Sequence, residues 1–169
     1  RIAGIVEKKG LVPAAILLTH THFDHISGIP ALQSTFPDLP VYVHPGDEPM
    51  FGHPFNQAGG EYRSIGKPAG IHDAMTLPSL IPGVEVIHTP GHTPGGVCYY
   101  FAADSLLLSG DTLFAGSTGR TDFPGGSASV LINSIKEKLF SLPDETKVYP
   151  GHESVTSIVQ EKMTNPFLT

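Results

Sequence analysis

Apolar residues along this 169-residue chain come in short runs cut by Gly- and Pro-containing turns. Ala14-Ala15-Ile16-Leu17-Leu18 is continuous and too short for a helix, so it predicts a buried strand. Pro40-Val41-Tyr42-Val43-His44, Val84-Glu85-Val86-Ile87-His88, Gly96-Val97-Cys98-Tyr99-Tyr100-Phe101, Ser105-Leu106-Leu107-Leu108-Ser109 and Lys147-Val148-Tyr149 predict further strands, and Met75-Thr76-Leu77 is β-prone. Helical spacing runs through Arg1 to Leu11, ended by Gly10, and through Ile29, Leu32 and Phe36 within Ser27 to Phe36, stopped by Pro37. The clearest amphipathic helix is Ser129 to Phe140, and a terminal helix is expected over Ser154 to Met163. Pro45 to Pro68 lacks periodicity and reads as loop with one helical turn. Strands mixed with separated helices give a layered α/β arrangement.

Composition narrows the class. Length and 40% apolar content suit one compact domain spanning residues 1–169. A net charge of −6, with ten basic residues and no cluster beyond Lys8-Lys9, speaks against nucleic acid as a partner. No apolar run reaches the roughly 20 residues that cross a bilayer, and the start has no signal pattern. The single cysteine, Cys98, rules out a disulfide framework and a Cys-based zinc site. A cytoplasmic, reducing location is the expectation, and oligomeric state is unreadable.

The chemistry sits where the apolar runs end. Thr19-His20-Thr21-His22-Phe23-Asp24-His25 follows the first strand, and His92, Asp111 and His152 each follow a strand and a glycine. Ligands at the same ends of several strands converge on one rim, where open α/β sheets place their sites. Residues two apart in an extended segment share a side, so His20 and His22 can bind one ion, completed by His92. A turn into the next helix swings Asp24 and His25 to a neighbouring position, completed by His152. Asp111 has two carboxylate oxygens and suits a bridge. Each ion then keeps a place for water, the mark of a catalytic rather than a structural site. Two such ions hold a shared water and lower its pKa to about 7, giving a bridging hydroxide nucleophile. His44, His53 and His72 read as ordinary packing or surface residues, and His88 as a neighbour of the site. His152-Glu153 lacks the second zincin histidine, Gly116 to Thr121 lacks the phosphate-loop lysine, and no Gly-x-Ser-x-Gly elbow occurs.

These motifs, His20-x-His22-x-Asp24-His25 with Thr89-Pro90-Gly91-His92, Ser109-Gly110-Asp111 and Pro150-Gly151-His152, resemble the metallo-β-lactamase superfamily. Within it the chain is similar to short, single-domain, glyoxalase II-like hydrolases, over nearly its whole length. The resemblance implies a four-layer αββα sandwich and two divalent ions, zinc first with iron or manganese as alternatives. It also implies hydrolysis of a small-molecule thioester such as S-D-lactoylglutathione. It places His20, His22 and His92 on one ion, Asp24, His25 and His152 on the other, and Asp111 between them, with Asp24 and Asp111 as catalytic carboxylates. Arg120 falls where related enzymes bind glutathione, while Asp122 replaces an expected aromatic residue and can pair with Arg120. Long glyoxalase II enzymes add a C-terminal helical domain, and members of the superfamily normally begin with a β-hairpin and further strands before the helix equivalent to Ile2 to Val6, so strands are expected upstream in the natural protein. A one-iron persulfide dioxygenase, using His20, His92 and Asp111, is the alternative suggested by Gly119-Arg120-Thr121-Asp122-Phe123. Diiron oxygen-reducing relatives carry glutamate at the position of His22 and are disfavoured.

Overall fold

The protein is described from a computed structural model covering residues 2–57 and 65–169. Its contacts divide it into two units, Arg1–Ala74 and Met75–Thr169.

The first unit carries α1 (Ile2–Lys8), β1 (Ile16–Leu17), α2 (Phe23–Ile26), α3 (Ile29–Thr35), β2 (Val41–Val43) and β3 (Ile71–Asp73), with single 3-10 turns at Glu48–Met50 and Pro54–Gln57. Gly10, at φ +62°, follows α1 as the sequence pattern requires. The three strands are all parallel in the order β1-β2-β3. Parallel neighbours need a crossover, and α2 and α3 provide the one between β1 and β2. Gly28 separates those two helices, so the expected helix from Ser27 begins at Ile29. Leu18, Ile26, Ile29, Val41 and Val43 form the buried core, with Ile16, Phe51, Ile65 and Ile71 packed against it.

The second unit is built on a five-stranded sheet in the order β10-β9-β6-β5-β4. Its strands are β4 (Val84–His88), β5 (Val97–Phe101), β6 (Leu106–Gly110), β9 (Lys147–Pro150) and β10 (Thr156–Ser157). A small hairpin, β7 (Leu113–Phe114) and β8 (Ser117–Thr118), follows β6. The unit also carries α4 (Ala128–Ser134), which widens into a π turn over Ile135–Leu139, α5 (Ile158–Thr164), and a 3-10 turn at Ala102–Asp104 between β5 and β6. Ile87, Cys98, Tyr100, Leu107 and Val148 from the sheet pack with Leu131, Ile135, Leu139, Ile158 and Leu168 in one buried cluster. Val84, Val86, Val97 and Tyr99, on the alternate positions of their strands, are buried as well. Burial on both faces explains why these strands read as near-continuous apolar runs.

Three expectations change. Met75-Thr76-Leu77 is not a strand but part of a 3-10 helix over Ala74–Ser79. Leu77 anchors it at 1% exposure, Pro78 cannot donate to a ladder, and the strand beside β2 is instead Ile71–Asp73. The terminal helix starts at Ile158, not Ser154, because Thr156 and Ser157 pair with Val148 and Lys147, and Ser157 then caps the helix through Gln160 N–H. The region expected as loop with one turn holds two turns, and its residues 58–64 lie outside those described. No helix among the described residues is long and apolar enough to cross a membrane.

Candidate metal centre

In the second unit, strand direction assembles three of the expected ligands. β5 runs antiparallel to both β4 and β6, and β6 runs parallel to β9. The ends of β4, β6 and β9 therefore face the same way, and His92, Asp111 and His152 follow those ends. Asp111 Oδ2 lies 3.7 Å from His92 Nε2 and 3.6 Å from His152 Nε2. Those separations are too long for hydrogen bonds, but donors about 2.1 Å from one tetrahedral ion stand about 3.4 Å apart. The His92 side chain is buried and Asp111 nearly so, whereas His152 is half exposed with Phe114 edge-on to its ring.

His92 Nδ1 lies 2.7 Å from the Arg120 carbonyl oxygen. A carbonyl only accepts, so Nδ1 carries the proton and Nε2 presents its lone pair toward Asp111. Two glycines make the close approaches possible. A Cβ on Gly91, at φ +132°, would stand 2.3 Å from Leu131 N, so this position lets the start of α4 press on the loop before His92. A Cβ on Gly119 would meet Asp111 O at 1.8 Å and His92 Nδ1 at 3.0 Å. Beneath the loop, Thr89 Oγ1 contacts Thr112 Oγ1 at 3.0 Å and Cys98 Sγ at 3.4 Å. Burial pushes the Cys98 thiol up to about 11, partly offset by hydrogen bonds with Thr89 and Thr112. His88, expected beside the site, hydrogen-bonds through Nε2 to Pro94 O, and Lys138 Nζ donates to His88 O.

The first unit gathers the other four. His22 is extended, at φ −66° and ψ 152°, and caps α2, so Asp24 and His25 occupy the helix's first turn. The His20 and His22 rings meet edge-on with centroids 4.9 Å apart, and the His20 and His25 centroids are 4.0 Å apart. Asp24 Oδ2 lies 3.7 Å from His25 Nε2. Thr21, between the two histidines, is wholly buried. Its N–H donates to Asp47 Oδ2 at 3.1 Å, its hydroxyl to Asp47 O at 3.0 Å, and its carbonyl accepts from Asn56 Nδ2 at 2.8 Å. Alternation then sends His20 and His22 to the opposite side. Asp47 and Asn56 escaped the sequence reading because they stand in an aperiodic loop, 26 and 35 residues from Thr21.

The donor sets fit divalent ions. His20 with the His22 and His25 rings against it and Asp24 beside His25, and a carboxylate between two further imidazoles, offer borderline nitrogen and oxygen ligands where a packed core would use aliphatic side chains. Arg120 stands apart from this chemistry: its guanidinium is paired with Asp122 and lies over the Phe123 ring. The Asp122 hydrogen bonds hold Arg120 above its ordinary value, and Arg120 holds Asp122 down to about 2. Of the unassigned histidines, His72 stacks on Tyr42, and His44 Nδ1 accepts from Gly46 N–H.

Known proteins place these features in a family. Residues 2–152 match the metallo-beta-lactamase superfamily. The probable metallo-hydrolase YqgX of Bacillus subtilis is 41% identical over 99% of this chain and 82% of its own length. The hydroxyacylglutathione hydrolase GloC of Haemophilus influenzae is 34% identical over the same shares. Among solved structures, the BLEG-1 B3 metallo-beta-lactamase and a di-iron-bound form of TTHA1623 both superpose with TM-score 0.88, at 40% and 41% identity, covering 99% of this chain and 83% of theirs. ETHE1 from Myxococcus xanthus gives TM-score 0.70 at 30% identity, covering 98% of this chain and 67% of its own. The expected fold class is met, and that fold implies divalent metal ions. By these likenesses the chain belongs to the metallo-β-lactamase superfamily, a family of metallo-hydrolases.

Proposed function

We propose that this protein is a metal-dependent hydrolase of small thioesters such as S-D-lactoylglutathione. The observation that carries the reading is Asp111, whose carboxylate stands 3.7 and 3.6 Å from the Nε2 atoms of His92 and His152 at one sheet rim. His20, His22, Asp24 and His25 of the first unit and His92, Asp111 and His152 of the second are the proposed ligands, in the division the sequence motif implies. When bound, two divalent ions supply a water of lowered pKa and polarise the substrate carbonyl. The Asp111 carboxylate, between His92 and His152, would offer its oxygens as anionic ligands. The His92 Nδ1–H bond to Arg120 O keeps Nε2 aimed and basic. Asp24, beside His25, is the second carboxylate assigned to the reaction.

The thioester assignment draws support from the 34% identity to GloC. Zinc is the proposed metal, and the di-iron form of TTHA1623 makes iron its direct competitor. A small-molecule substrate and a cytoplasmic location complete the reading, the latter on the single thiol, Cys98, which is buried.

The test strips the protein of metal, reloads it with zinc, iron or manganese, counts ions per chain, and assays lactoylglutathione, simpler acyl thioesters and a β-lactam. Two ions per chain and thiol release from a thioester are expected. Absence of thioester cleavage with every metal would overturn the proposal. The second reading, a persulfide dioxygenase with one iron on His20, His92 and Asp111, is favoured by the Gly119 to Phe123 segment and by the likeness to M. xanthus ETHE1. One iron per chain, with oxygen consumed in the presence of glutathione persulfide, would select it.

A further inference from the structure

Glu161 is a buried acidic side chain that the proposed chemistry does not use. It lies on α5 at 1% exposure, and its three donors are all uncharged. Oε1 accepts from Thr156 Oγ1 at 2.6 Å, and Oε2 accepts from the Gly116 N–H at 2.9 Å and from Asn165 Nδ2 at 2.8 Å. Asn165, itself fully buried, donates also to Ser117 O at 3.0 Å. The Glu161–Asn165 pair thus grips the Gly116–Ser117 corner of the β7–β8 hairpin from 45 to 48 residues away.

That hairpin joins two parts of the metal centre. It leaves β6 directly after Asp111 and returns at Gly119, which touches the Asp111 backbone so closely that no Cβ fits. The next carbonyl, of Arg120, receives the His92 Nδ1–H. The hairpin's own ladder is only two residue pairs long, too little to hold that carbonyl in place unaided. Hydrogen bonds anchored on two buried side chains, Glu161 and Asn165, supply the missing rigidity.

We propose that Glu161, with Asn165, is a positioning residue for His92, acting through the β7–β8 hairpin and the Arg120 carbonyl. The metal part of this proposal rests on the reading of His92 as a ligand, while the orientation part does not. The network sets the tautomer and aim of His92 before any ion arrives. Loss of Glu161 frees the Gly116 N–H from its acceptor and leaves buried Asn165 Nδ2 short of one, so the hairpin corner loosens and the Arg120 carbonyl drifts.

The experiment compares Glu161→Leu, which keeps the side chain's bulk without its acceptors, and Asn165→Ala with wild type, using Thr156→Val as a control that removes only the Oε1 contact. In metal-free protein, NMR reads the solvent exchange of the His92 Nδ1 proton, assigned by its loss in His92→Gln. Zinc affinity is measured separately with zinc alone against a competing chelator. In both Glu161→Leu and Asn165→Ala, the His92 proton should exchange at least about tenfold faster, and zinc affinity should fall by about 10- to 100-fold. Thr156→Val should lower the melting temperature and leave the His92 proton unchanged. Variants that melt earlier but keep wild-type His92 exchange and zinc affinity would overturn the proposal. If Glu161→Leu does not fold, Asn165→Ala decides by the same two readouts. A wild type that binds no zinc, yet whose His92 proton responds to both substitutions, would sink the metal reading and leave the positioning role standing.

Discussion

Arg120 is held by Asp122 through two hydrogen bonds, Nε to Oδ1 at 2.8 Å and Nη2 to Oδ2 at 2.7 Å, with its guanidinium carbon 3.7 Å from the centre of the Phe123 ring. The arrangement is the planar fork that Arg otherwise offers to a substrate carboxylate. A glutathione carboxylate must displace Asp122 to use it. Asp122→Asn should therefore lower KM for anionic thioesters several-fold and leave a neutral thioester unchanged, read by steady-state kinetics on the two substrates. Acid does not substitute for the mutation. With the Asp122 carboxyl held down to about 2, the pair is lost only as pH falls through that value, so lowering the assay to pH 5 should not reproduce the effect.

Gly119→Ala places a methyl group 1.8 Å from Asp111 O, against backbone that has no rotamer to yield. Overpacking costs about 1–3 kcal/mol, and a backbone neighbour puts this site at the upper end. Urea unfolding should show that loss, together with weakened zinc binding. Gly28→Ala is the contrast: its backbone is right-handed helical, and nothing lies within 4 Å of the new atom. There the expected change is a gain of about 0.4–1 kcal/mol from the stiffer unfolded chain.

Removing the Asp47 side chain takes away the acceptor of the buried Thr21 N–H. A buried donor left unmet costs about 1–3 kcal/mol. The backbone between His20 and His22 then loses one of its three anchors, so Asp47→Ala should weaken zinc binding as well as lower the melting temperature. Chelator competition and a thermal melt check the two parts. Wild-type zinc affinity in the variant would refute the positioning of the histidines through Thr21.

Cys98 makes stability fall in alkali. Below pH 9 its thiol is protonated in both the folded and the unfolded chain, and it adds no pH dependence. Between the ordinary value of 9.0 and the folded value of about 11, the unfolded chain releases a proton that the folded one keeps. Stability should drop there by about 1.4 kcal/mol per pH unit. Cys98→Ala should flatten the curve between pH 9 and 10 in urea titrations. Tyr99, whose hydroxyl is pushed up by burial first and by Cys98 second, should keep a further decline at higher pH.

The sequence was most informative where function is local. His20, His22, Asp24 and His25 sit within six residues, so their grouping follows from one extended segment turning into one helix, and the structure places them that way. The long apolar strands were legible because burial on both faces writes them as continuous runs. The short strands β1 and β2 were legible too because each lies in a longer apolar run, whereas β3, β7, β8 and β10 have no such run and are specified by the partner they pair with. Met75 to Leu77 shows the converse error, β-prone residues drawn into a 3-10 turn by Pro78 and the burial of Leu77.

By itself the sequence determined the family and the set of candidate donor side chains, because residue type and local spacing are properties of the chain alone. Tertiary structure decided the rest. An antiparallel β5 between β4 and β6, and a parallel β9 beyond them, bring His92, Asp111 and His152 to one rim though 19 and 41 residues separate them in turn. Asp47, Asn56, Glu161 and Asn165 acquire their roles only through hydrogen bonds spanning 26 to 48 residues. Such pairings depend on which strands become neighbours and in which direction they run, and no local pattern in the chain encodes that.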